Sequence, residues 1–341
     1  MGMGIEPRIS AAAALGVGGV IGQCGGDAER IFGAARLCLA ELENPSIRLN
    51  LNHYCHLFEL AARQTGADDF GLRFGLQYQV EQMGPLGTLV LASPNLGAAL
   101  RNLCAYFPAL QEHSALRLRA EAGLMALEYQ ITDGRIAQRR QDAELSIAVF
   151  IGIFRRCLGT GWAPAEVQFE HLRAADAGRV AAALNAPVYY AAGRNAILFS
   201  PASLAAPMPG SNPSSLSALE AALRLQAAAA GPADFLGQVL SLIRSGFASG
   251  EANIDQVAAR LGLSRAGLYR RLALDGADFS ELTQRIRREL AESYAAQPGI
   301  AFTDLASLLG YSELSAFSRA FSRWTGLSPA RYRQACQKLP A

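Results

Sequence analysis

Two sets of side chains in the C-terminal quarter of this 341-residue chain have the chemistry of a surface that reads nucleic-acid bases. Arg265, Ala266, Tyr269 and Arg270 form the first, and Leu314, Ser315, Ser318, Arg319 and Arg323 form the second. An arginine can donate two parallel hydrogen bonds to a guanine edge, and small hydroxyl or apolar side chains can meet phosphates or thymine methyl groups. Ser264, Ser312, Arg287 and Arg288 flank the two sets and are the candidates for phosphate contact. An arginine on an exposed helix is usually just solvated, so the chemistry depends on whether the surrounding elements present both sets to one partner.

Those elements form a repeat. Ile254, Val257, Ala258 and Leu261 follow the spacing of a helix face and lead into Gly262-Leu263-Ser264; Phe302, Leu305, Ala306 and Leu309 do the same 48 residues later and lead into Gly310-Tyr311-Ser312. A helix stopped by glycine, then an apolar residue, then a serine able to cap the next helix, is the sequence form of a helix-turn-helix. The second helices carry Leu268 and Leu272 in one copy and Phe317 and Phe321 in the other, now 49 residues apart. With the apolar side packed inward, the polar side faces out, which suits a major groove. Between the copies, residues 280–296 predict one long helix with Leu282, Ile286 and Leu290 inward and Arg285, Arg287 and Arg288 available, ended by Gln297-Pro298-Gly299.

The rest of the chain must support this surface. Half of it is apolar, at 51%, with 33 glycines and 15 prolines thinly spread, which provides for two packed domains and excludes collagen-like or disordered classes. Net charge is only +2, but residues 233–341 carry 13 basic and 10 acidic side chains, so the excess sits at the C-terminal end. Six cysteines without paired spacing are expected to be reduced thiols, and the apolar run over 11–21 lacks the flanks of a signal peptide. No membrane span is expected, and the chain is placed in the cytoplasm. Residues 10–64 read as helical; 70–78, 116–120, 124–131, 167–171 and 196–199 read as short strands; helices are expected after Ser93-Pro94 and over 142–158. The expected architecture is an α+β N-terminal domain over 1–206, a linker with a helix over 207–232, and an all-α domain over 233–336 containing helix-turn-helix motifs at 254–274 and 302–324.

The segment Gly310-Tyr311-Ser312, Ser315-Ala316-Phe317-Ser318-Arg319-Ala320-Phe321, Trp324-Thr325-Gly326-Leu327-Ser328-Pro329 and Tyr332-Arg333 closely resembles the signature of AraC/XylS bacterial transcription regulators. Gly71-Leu72-Arg73-Phe74-Gly75, Gly84-Pro85-Leu86-Gly87 and Ser93-Pro94-Asn95-Leu96 are similar to the non-cupin, arabinose-binding-like effector domain that precedes that module in many such regulators. The resemblance implies two recognition helices in successive major grooves of promoter DNA, about 34 Å apart. It implies base reading by Ala266, Tyr269 and Arg270 and by Leu314, Ser315, Ser318 and Arg319. It further implies a homodimer, RNA polymerase as a partner, an unidentified small-molecule effector and an activating role. One departure is Ala266-Gly267, which offers the first helix little to read with; an interior glycine also costs roughly 1 kcal/mol relative to alanine.

Other motifs point nowhere else. His53, Cys55 and His56 lie within four residues but have no second cluster to complete a metal site. Gly16, Gly18, Gly19 and Gly22 fall near a dinucleotide fingerprint, yet Ile21 occupies the third glycine position. No G-x-S-x-G or H-E-x-x-H occurs, so neither an enzyme nor a bound cofactor is expected. The competing reading is a small-molecule sensor or enzyme whose tail binds DNA nonspecifically.

Overall fold

Apolar side chains gather into two main clusters, one from residues before 230 and the other from residues after 233 together with Leu172, and the secondary structure follows from what each cluster must cover. The computed structural model describes residues 6–44, 46–173, 177–230, 233–297 and 299–338. In the N-terminal part the helices are α1 (Val17–Gln23), α2 (Ala28–Ala34), α3 (Leu51–Thr65), α4 (Phe70–Gln77), α5 (Pro85–Ala92), α6 (Leu96–Leu110), α7 (Arg140–Leu158), α8 (Ala177–Leu184) and α9 (Pro213–Ala230). The strands are β1 (Arg8–Ser10), β2 (Arg48–Asn50), β3 (Ser114–Glu121), β4 (Leu124–Ile131), β5 (Glu166–Gln168), β6 (Val188–Tyr189) and β7 (Asn195–Phe199). Among the described residues after 233 the elements are all helices: α10 (Phe235–Ser249), α11 (Ile254–Arg260), α12 (Arg265–Leu274), α13 (Phe279–Ala296), α14 (Phe302–Leu308), α15 (Leu314–Thr325) and α16 (Pro329–Lys338). The fold is a mixed α and β N-terminal domain followed by a helical helix-turn-helix region.

A five-stranded sheet runs in the order β3-β4-β7-β5-β6, antiparallel except for β5 and β6. Alternation along β4 sends Leu127, Tyr129 and Ile131 to the main core and leaves Ala126 with Ala196 and Leu198 on the other face. α7 lies against the inner face and is buried on nearly every side from Arg140 to Phe154.

Residues 70–78 are a helix and not the expected strand. Their alternation of Phe70, Leu72 and Phe74 mimics a strand, but all three are buried in a helix whose Gly71 and Gly75 sit against α7. A Cβ at Gly71 would stand 2.1 Å from the Gln141 carbonyl oxygen, and one at Gly75 would stand 2.5 Å from that of Leu145. Two glycines four apart let the helices touch backbone to backbone, a relation that exists only in three dimensions. The region 10–64 is likewise not one helical block: it holds α1, α2 and α3 and the strand β2, which pairs antiparallel with β1, Ile9 opposite Leu49. The cap of α6 is Asn95, whose side chain accepts from the Ala98 amide, while Ser93 is buried and donates back to Leu89. β5 stops at Gln168, short of the expected 171.

The segment 207–232, expected as a linker with a helix, contains α9. α9 packs on α5 and α6, with Leu223 buried in the N-terminal core and Leu216, Leu219 and Ala227 against it. Gly231 and Pro232 lie outside the described residues, as does Pro298 of the expected helix stop.

Candidate nucleic-acid interface

The two helix-turn-helix units begin with the same stop. In α11 the Leu263 amide donates to the Ala258 carbonyl and the Gly262 amide to that of Ala259; in α14 Tyr311 and Gly310 make the same bonds to Ala306 and Ser307. These pairs close a Schellman motif, which needs a left-handed residue after the helix, and Gly262 and Gly310 supply φ of 67° and 80°.

From there the copies diverge by one residue, which accounts for the change of offset from 48 to 49. Ser264 caps α12, its Oγ accepting from the Gly267 amide at 3.1 Å. In the second copy the cap position passes to Glu313, whose side chain makes no capping bond; Ser312 lies one residue outside, and Ser315 Oγ donates to the Glu313 carboxylate. The serine expected to cap both helices thus caps only the first. Aligned at their first helical residues, Arg265 matches Leu314, Ala266 matches Ser315, Tyr269 matches Ser318, and Arg270 matches Arg319.

Burial separates the faces of both helices. Leu268 and Leu272 in α12, and Phe317, Ala320 and Phe321 in α15, are buried in the C-terminal core. Arg265, Ala266, Tyr269, Arg270, Leu314, Ser315, Arg319 and Arg323 are exposed, and Ser318 is half-buried. Arg265 reaches the Asp255 carboxylate at 3.4 Å and lies over the Tyr269 ring. Gly267 falls in the first turn of α12, where a Cβ would come 3.2 Å from Ser264 Oγ. The small residue there leaves room for the cap and is not an interior weakness of the helix.

α13 spans the two units as expected, capped by Asp278 through the Glu281 amide. Arg285 and Arg288 are exposed, and Arg288 pairs with Glu292 at 2.7 Å. Arg287 is half-buried, and its guanidinium packs over Phe247 and Tyr311, bridging α10 to the second turn. Arg333, part of the sequence signature, is structural here, donating to the carbonyls of Ala295 and Ile300 and stacking on Phe302.

A seam that the sequence did not reveal joins this unit to the N-terminal domain. Ser241 Oγ donates to the Ile131 carbonyl, Arg244 to the Gly134 carbonyl, and the Gly134 amide to the Gly237 carbonyl. A Cβ at Gly134 would lie 2.1 Å from the Leu240 carbonyl carbon and the Ser241 nitrogen, so only glycine admits α10 here. Arg244 is buried, which lowers the pKa of its guanidinium, and it pairs with Glu289 at 2.6 Å. Arg135 bridges Asp133 and Asp234 across the same seam. Only the glycine in Thr132-Asp133-Gly134-Arg135 could have flagged this contact, and nothing in one sequence says that a helix 100 residues away meets it.

Comparison with known proteins finds two family models on the chain. Residues 25–208 match the model of the arabinose-binding domain of AraC transcription regulators, an N-terminal domain, and residues 257–335 match a helix-turn-helix domain. The HTH-type transcriptional regulator VirS of Mycobacterium tuberculosis is 29% identical over 84% of each chain. The ornithine utilization regulator of Pseudomonas aeruginosa is 26% identical over 93% of each. Among solved structures, the transcriptional regulator CdpR from Pseudomonas aeruginosa aligns with 90% of this chain and 96% of its own, at 20% identity and a TM-score of 0.43.

Proposed function

Since this chain belongs to the AraC family of transcription regulators, we propose that it activates transcription when a small molecule occupies its N-terminal domain. It is a DNA-binding transcriptional regulator with an effector-binding N-terminal domain. The proposal assigns base reading to Ala266, Tyr269 and Arg270 in α12 and to Leu314, Ser315, Ser318 and Arg319 in α15. Arg265 and Arg323 flank them, and Ser264, Arg288 and Ser312 meet phosphates. The protein acts in the cytoplasm as a homodimer on paired half-sites and engages RNA polymerase there. No catalytic step is assigned to it, and its relatives are transcriptional regulators.

The observation that carries this reading is the pair of matched helices, α12 and α15, with polar positions exposed in one 49-residue register behind two separately closed turns. Footprinting of the full chain on the promoter beside its own gene tests it. A protected patch of about two helical turns per protomer is expected from two recognition helices in successive grooves. Uniform weak protection of any duplex would instead mean a nonspecific tail on a sensor.

A further inference from the structure

A cleft of about 870 Å³ lies between the two halves, a volume typical of small-molecule sites. One wall is the outer face of the sheet, where β3 contributes Arg117 and Arg119, β4 contributes Glu128 and Gln130, and the loop before β7 adds Arg194. The other wall is α10 with Ser241, followed by Glu251 and by Arg260 at the end of α11. Gln130 donates to Ser241 Oγ at 3.4 Å, so the two walls already touch beside the seam.

Four guanidiniums therefore line one cleft, and two of them are matched. Arg194 is held by Glu121 and Glu128, each at 2.7 Å, and Arg260 by Glu251. The two arginines of β3 are not matched in this way. Glu128 stands directly opposite Arg117 in the ladder, yet its carboxylate is bonded to Arg194 and reaches Arg119 only at 3.7 Å. Among the described residues Arg117 is left without a carboxylate or carbonyl partner, two positions from Arg119 on the same face of the sheet. Like charges side by side on a sheet repel each other, and a cleft lined by one sign concentrates the field that draws a counter-ion.

We infer that this cleft is the effector site and that it takes a small oxyanion, a carboxylate or phosphate ester, on a hydroxyl-bearing body. A planar guanidinium gives two parallel hydrogen bonds to such a group, and Arg117 has its donors unspent. The walls suit hydroxyl groups better than a hydrocarbon chain, with Gln238 and Ser249 lining the cleft along α10. The inference rests on the effector-regulator reading and gives it a route. Arg117 belongs to the N-terminal sheet, while Arg260 ends the helix that leads through the first turn into α12. A ligand that engages both fixes the first helix-turn-helix unit against the sheet.

The test uses the full chain, with gluconate and glucose 6-phosphate as probes and sorbitol and glucose as their uncharged counterparts. The two arms distinguish a carboxylate from a phosphate ester. Titration calorimetry and thermal melts should show saturable binding of at least one anion, about tenfold or more tighter than its counterpart, as a charge-assisted bond provides. Arg117→Gln, a change at an exposed side chain, should weaken that binding by about tenfold or more. Arg260→Gln on the other wall should weaken it as well, each variant with a cooperative melt as proof of folding. Arg30→Gln, exposed on α2 and outside the cleft, should leave it unchanged. Bound probe should also shift the operator affinity of the parent by about threefold or more, since coupled sites alter each other's affinity. Equal binding of anion and counterpart, or binding unchanged in Arg117→Gln, overturns the inference. Inorganic sulfate binding as tightly as the probes would mean an adventitious ion only and overturns it too, and binding with no shift in operator affinity overturns the effector role. No binding of either anion at millimolar concentration, beside an intact operator footprint, overturns the site while the regulator reading stands; loss of the footprint itself strikes that reading.

Discussion

Arg270 and Arg319 occupy the same position, the sixth residue of their helices, and both are exposed. If each bonds a base edge, replacement by alanine should weaken operator binding by roughly 1–3 kcal/mol and relax preference at one base pair, measured by titration on operator variants. An equal loss on operator and random DNA would reassign that arginine to the phosphates. Asp142 supports a prediction on stability. Burial pushes its carboxyl up to about 7, whereas in an unfolded chain it titrates near 4. Between those values the native state keeps a proton that the unfolded chain has lost. The associated stability is thus fully present below about pH 4 and is lost as pH rises through about 7. Asp142→Asn should flatten the fall in melting temperature over that window. Glu144, also raised to about 7 by burial, keeps a similar slope in both proteins, and His171, held neutral by burial with a pKa lowered to about 3, opposes that slope equally in both between about pH 3 and 6.5. A variant whose pH profile parallels the parent's would mean that Asp142 is ionised throughout. The exposed arginines were legible from residue type and spacing; Asp142 was not, because burial and an empty bonding position are properties of the packed core.

At the scale of elements, the one-residue difference between the turns separates two serines that look alike in sequence. Ser264→Ala removes the cap of α12 and should cost about 1 kcal/mol of stability. Ser312→Ala touches no cap and should leave the melting temperature nearly unchanged while still weakening DNA binding if its hydroxyl meets a phosphate. Equal destabilisation by both would show that the second helix starts one residue earlier than Leu314. The long helices α6 and α13 and the strands β3 and β4 could be read from periodicity, and α7 and β7 from their runs of apolar residues. α4 could not, because every apolar residue in Phe70–Gln77 fits a strand and only the close seat against α7 selects the helix.

For the whole molecule, the seam at Gly134 decides whether the halves act as one body. Gly134→Val would drive a side chain into the Leu240–Ser241 backbone and force α10 off its seat, an overpacking that typically costs about 1–3 kcal/mol. Calorimetry should then resolve two unfolding transitions where the parent shows one, and operator binding should survive while effector dependence is lost. A single transition at the parent temperature would mean that the seam carries no coupling. The sequence by itself determined the double helix-turn-helix, the exposed positions on its second helices, the charge asymmetry and the presence of an α and β domain before it, because these rest on local periodicity, turn chemistry and composition. Only the tertiary structure decided that α9 belongs to the N-terminal core, that Arg287 packs onto Phe247 and Tyr311, that Gly134 admits α10, and that Asp142 is buried with one carboxylate oxygen unbonded. Each of those depends on which distant backbones meet, and a linear pattern carries no record of that distance.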